Sequence, residues 1–149
     1  MTPKLDSGRE AAATADAPTL ATEHDVRAFK MFRDTYVAFM DECSRLWHFY
    51  WHQVAEVSTL ARERAMKAGS SPSPEEVASI EGDVAKAYRE RADRLLGELQ
   101  RALQAYAKGN ASAWQAVGDK DAEWLMWHVG VGQSNAAAAY STLLRALAS

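Results

Sequence analysis

The sequence has one cysteine, four prolines and no disulfide partner for Cys43 in its 149 residues, so a disulfide-stapled scaffold is excluded. No stretch of 18 apolar residues is available to span a bilayer as a helix. Basic and acidic residues number 17 and 20, for a net charge of −3. They form no block of like charge, so the electrostatic footprint of a phosphate-backbone binder is missing and nucleic acid is not an expected partner. The first residues carry no apolar run behind a basic start, the mark of a secretory signal. A cytoplasmic location is therefore expected, with signal-less export left open. The Cys-x-x-Cys-His of covalent haem is absent, as are the lysine of a phosphate-binding loop and the paired Glu-x-x-His of a di-iron bundle.

What is present is ordinary globular stock, 48% apolar and 25% charged, with abundant alanine favouring helix. A chain of this length forms one domain and buries roughly two-thirds of its unfolded surface without staples. Residues 1–22, rich in Ala, Thr, Pro, Asp and Gly and lacking aromatics, cannot repay the entropy of ordering and read as a flexible tail. Residues 23–149 read as a single helical-bundle domain.

Two long amphipathic helices dominate that domain, over roughly Asp25 to Lys67 and Glu75 to Lys108. In the first, Phe29, Phe32, Tyr36, Phe39, Cys43, Leu46, Tyr50, Val57 and Leu60 follow steps of three and four, missing only Gln53, a coiled-coil-like seam. A second column, Met40, Trp47, Val54 and Ala61, widens the apolar face, so the helix must touch more than one neighbour. Residues 69–74 break it, and Ser73-Pro74-Glu75-Glu76 sets a cap, a first-turn proline and two acids in helix-start order. The second helix carries Val77, Ile80, Val84, Tyr88, Ala92, Leu95, Leu99, Leu103 and Tyr106 on one face. The short loop makes the pair an antiparallel hairpin, and Gly109-Asn110 reads as the stop signal.

The C-terminal segment is less regular. Trp124, Trp127 and Val131 point nearly opposite to Tyr140, Leu143 and Leu147 at helical spacing, which argues against one straight amphipathic helix. Either Gly130-Val131-Gly132 kinks the segment so that both halves face one core, or it stays straight and is buried on two sides. The expected fold class is all-α: a long antiparallel hairpin plus a kinked C-terminal helical segment, in a three- to four-helix bundle.

For chemistry the candidates are thin. His48, His52 and Glu56 stand at i, i+4 and i+8, the stripe a metal might use. Further ligands would have to come from His24 or His128, and a polar stripe beside an aromatic patch explains them as well. Gly130 to Asn135 resembles an anion-binding loop but lacks the strand and lysine of one. No catalytic residue, cofactor or metal is expected.

The aromatic cluster Trp47, Phe49, Tyr50 and Trp51 is the stronger signal. Tyr50 lies on the seam and Trp47 beside it, while Phe49 and Trp51 project from other faces, so a single hairpin partner cannot cover them. Such a patch marks either association or cover by a third helix of the same chain. Trp47, Phe49, Trp51, Trp124 and Trp127 are the candidate interface residues.

Two resemblances bear on function. Amphipathic Ala-rich helices with a break before a last Ala-rich helix resemble phasins, the coat proteins of polyhydroxyalkanoate granules. Residues 84–149, with a helix, a turn and Gln133-Ser134-Asn135 ahead of a C-terminal helix, are similar to needle subunits of type III secretion systems, although Gly109-Asn110-Ala111-Ser112 replaces that family's proline-containing turn. Both imply a non-enzymatic, self-associating helical scaffold or adaptor, a homo-oligomer or partner of other helical proteins. The rival expectation is a bundle that binds a small molecule, haem or metal, and with it an enzyme.

Overall fold

The computed structural model describes residues 23–118 and 123–148, and apart from residues 69–73 and Gly118 every one of them is helical. The expected all-α architecture is observed as three helices, α1 (Glu23–Ala68), α2 (Pro74–Val117) and α3 (Glu123–Ala148). The N-terminal tail of residues 1–22 lies outside the described residues.

The hairpin loop forms as its residue types dictate. Gly69 takes a φ of 81°, the left-handed conformation that only glycine adopts without cost, and its N–H donates to the Met66 carbonyl. The Ser73 hydroxyl accepts from the Glu76 N–H at 3.1 Å, and Pro74 fills the first turn. The two helices then run antiparallel along their whole length. Phe32 meets Trp114 and Phe39 meets Tyr106, each with ring centroids 4.8 Å apart. Farther along, Arg45 pairs with Glu98 at 3.2 Å, the Tyr50 and Tyr88 hydroxyls lie 3.2 Å apart, and Arg64 pairs with Asp83.

The expected stop at Gly109 is overturned, because α2 continues for two more turns and ends at Gly118, whose φ is 70°. Gly109 sits inside the helix for a steric reason. A Cβ built there would lie 2.7 Å from the Thr35 Cβ, with the Thr35 hydroxyl closer still, so it is a glycine of close helix approach. The packing of Ala113 and Val117, both buried beyond it, outweighs a local stop signal.

The C-terminal segment also differs from expectation. One uninterrupted helix passes through Gly130 and Gly132, and its buried residues Leu125, Val129, Ala136, Leu143 and Leu147 fall within about 40° of arc at 100° per residue. One inner face therefore serves both halves. The opposition of faces arose from taking the tryptophans as inward. Trp127 is only half-buried and lies about 200° round the helix from Leu125, as befits a side chain too large to be fully enclosed often. The Trp124 side chain lies outside the described residues.

α3 packs on the flank of α1 opened by the second apolar column. The His128 ring meets Phe29 with centroids 5.6 Å apart, and Gly132 abuts the Tyr36 ring, so α3 runs parallel to α1. From that register Ala148 reaches the level of about residue 52. Among the described residues the hairpin continues alone beyond it for roughly 16 residues, a two-helix arm about 24 Å long.

The buried core is in two parts. Ala28, Phe32, Ala113, Val117, Leu125 and Val129 form the cluster near the start of α1 and α3. A larger one gathers Phe39, Cys43, Leu46, Ala92, Leu95, Leu99, Ala136, Leu143 and Leu147. Cys43 belongs to the second, as its place on the seam implied, and burial pushes its thiol up to about 11, with the Glu42 carboxylate adding to the effect. It is a small core hydrophobe rather than a nucleophile.

Candidate functional site

The aromatic cluster of α1 divides at the point where α3 ends. Trp47 and Tyr50 are half-buried and pack against the larger core cluster, to which all three helices contribute. Trp51 is left 54% exposed. Its ring stands edge-on to Trp47 at 5.7 Å and to Tyr50 at 5.3 Å, while Trp47 and Tyr50 stack at 6.0 Å. The three rings form one platform whose outer member faces solvent. The hydrogen bond with Tyr88 links the platform to α2, and together with partial burial it holds the Tyr50 phenol above its ordinary range.

Phe49 does not join them. It is 45% exposed, lies about 200° from Trp51 around the helix, and has the Arg45 guanidinium 5.4 Å above its ring, a cation–π contact on the opposite flank. Arg45 also bridges Glu42 and Glu98, and its guanidinium holds the Glu42 carboxyl below the usual range. The candidate residues on α1 thus separate into Trp47 and Trp51 on the side along which α3 lies and Phe49 on the side of α2. Trp127 sits elsewhere again, with its ring 4.9 Å from that of His128, near the start of α3.

One member of the histidine stripe, His52, lies against the Glu56 carboxylate. His52 Nε2 lies 3.1 Å from one oxygen of Glu56, and the other oxygen is 3.7 Å from Arg91 Nε across the hairpin. A cation at Glu56 would have to displace Arg91. His48 is exposed, and the side chain of His24 lies outside the described residues. Among the described residues no group of three or more His, Cys, Asp or Glu side chains is placed to hold a metal ion. Replacing both His48 and His52 with Ala is expected to leave stability nearly unchanged, within about 0.5 kcal/mol, since neither position is in the core. A urea titration followed by circular dichroism measures this, and a loss above about 2 kcal/mol would show the stripe to be structural.

A second feature had no counterpart in the sequence reading. Between the two core clusters, at the level of Gly132, a cleft of about 230 Å³ opens among the three helices. Phe29, Phe32, Tyr36 and Tyr106 wall it, with Asn110 and His128 among its polar lining groups. Burial pushes the Tyr106 phenol up against a lowering hydrogen bond with Asn110, and the nearby Tyr36 pushes it further up. The one available signal was the pair of tyrosines on facing seams beside a glycine in the third helix. Reading it requires the register among all three helices, which no single-helix period contains.

No described helix is long and apolar enough to cross a membrane. No family model, curated protein or solved structure matches the chain.

Proposed function

We propose that this protein is a non-enzymatic helical scaffold that associates with a second copy of itself through the side of the two-helix arm, with Trp51 as the anchor. The observation that carries this reading is the aromatic platform at the base of the arm. Trp47 and Tyr50 are held rigid by the core and by Tyr88, and they present Trp51 at a place where α3 has ended and the groove between α1 and α2 is uncovered. A rigid aromatic beside a helical groove is the arrangement that an amphipathic helix of a partner uses for docking. A granule coat and a filament subunit are two forms such a scaffold takes, and a cytoplasmic setting belongs to the same reading. Phe49, on the opposite flank of α1, and Trp127, near the start of α3, lie outside this contact surface.

The test is size-exclusion chromatography with light scattering over a concentration series, run on the full chain and on Trp51→Ala. The wild type is expected to exceed its protomer mass of 16.4 kDa. Trp51→Ala should weaken association by about 2 kcal/mol, roughly 30-fold, with helicity kept. A wild type that stays at the protomer mass at every concentration would sink the proposal.

A further inference from the structure

The cleft is far from the arm: Arg33 at its rim and Trp51 are 18 residues apart on α1, about 27 Å. We propose that it is a binding site for a small planar aromatic carboxylate. Position 132 lies on the inner face of α3, in line with Val129 and Ala136, where a bundle places a large side chain. Glycine there lets the Tyr36 ring come up to the α3 backbone, where a Cβ would touch it at 3.4 Å, and contributes no side chain of its own to the layer. The core is interrupted at this level, with one buried cluster ending at Phe32 and Val129 and the next beginning at Phe39 and Ala136. At this layer α3 therefore adds no side chain at position 132, and a cleft is left beside the half-buried Tyr36 and Tyr106.

The walls define the ligand. Phe29, Phe32, Tyr36 and Tyr106 offer ring faces and edges, which suit a flat aromatic body. The volume of about 230 Å³ exceeds the roughly 150 Å³ of an apolar cavity that takes up benzene, so a fused or substituted ring fits. Among the described residues no aspartate or glutamate lines the cleft, and its basic lining groups are Arg33 and His128. Arg33 also approaches Asp34, at 3.5 Å on the exposed surface, but a guanidinium presents five donors, enough to hold a second carboxylate. Asn110 and Asn135 add amide groups at the polar edge.

Calorimetric titration of the full chain with 2-naphthoate tests the proposal, with neutral 2-naphthylmethanol as the comparison. One saturable site per chain is expected, with the carboxylate preferred. Gly132→Leu should weaken naphthoate binding about tenfold or more by filling the cleft. Gly130→Leu, on the exposed face where an added Cβ meets nothing within 4 Å, should not. Arg33→Gln, a change at an exposed side chain, should erase the preference for the carboxylate over the alcohol. Trp51→Ala should leave binding intact, so the outcome is independent of self-association. Lack of saturable binding at millimolar probe overturns the proposal. So does naphthoate affinity that is unchanged in both Gly132→Leu and Arg33→Gln, or that is lost in Trp51→Ala.

Discussion

Leu46→Ala is expected to lower the unfolding free energy by about 2–5 kcal/mol, a large part of the roughly 5–15 kcal/mol that holds a domain of this kind together. Leu46 is fully enclosed, at 0% exposure, in the cluster where α1, α2 and α3 meet around Leu95, Leu99 and Leu143. Truncation removes apolar burial and leaves a cavity that three helices, each pinned by neighbouring layers, cannot close. Urea unfolding followed by circular dichroism should show a clearly lowered midpoint with an unchanged slope. The contrast with Trp51→Ala is the informative part, because that side chain is more than half exposed and its loss should leave the protomer's midpoint almost where it was. A Leu46→Ala midpoint within error of the wild type would mean that the central layer is not packed as described.

The second large effect has an unusual sign. Glycine in a helix interior normally costs about 0.5–1 kcal/mol relative to alanine, and Gly82, helical and with nothing within 4 Å of an added Cβ, should follow that rule: Gly82→Ala is expected to stabilise by that amount. Gly109→Ala should do the reverse, costing about 1–3 kcal/mol through overpacking, because its new methyl would run into Thr35. Adding Thr35→Ala removes the hydroxyl and methyl but leaves the Thr35 Cβ at 2.7 Å, so rescue should be partial, and a double-mutant cycle isolates the coupling. Paired urea melts decide the matter. If Gly109→Ala gains stability as Gly82→Ala does, α1 and α2 do not approach closely at this layer.

Gly109 also explains where reading the chain alone succeeds and fails. The hairpin was legible because Phe32, Phe39, Cys43, Leu46 and Val57 recur at the spacing of one helical face, and each is buried. The turn was legible because Ser73 and Pro74 act on their own immediate neighbours. A glycine that ends a helix and a glycine that admits a crossing neighbour look alike locally, however, and only Thr35, 74 positions earlier, distinguishes them here. In α3 the bulk of Trp124 and Trp127 drew the inner face away from Leu125 and Val129, which are smaller and fully packed. The aromatic patch was legible as a patch, but its division between Trp51 and Phe49 depends on where α3 stops. The cleft depends on three helices at once, through Tyr36, Tyr106 and Gly132.

The end of α3 has a consequence for how α1 holds together over time. As a hydrogen-bonded rod α1 is continuous for 46 residues, yet its two halves are secured unequally. Up to about Tyr50 it is clamped by two neighbours. Beyond that point Val57 is the one α1 side chain that is fully buried, and surface pairs such as Arg64 with Asp83 add little. Amide exchange along α1 should therefore fall into two regimes, with slow global opening near Leu46 and faster local opening toward Ala68. The outer arm can fray and re-form while the body stays native. Any contact that holds it closed then reaches back through Tyr50 and Tyr88 to the packed layers, coupling occupancy at the tip to rigidity at the base without a change of shape.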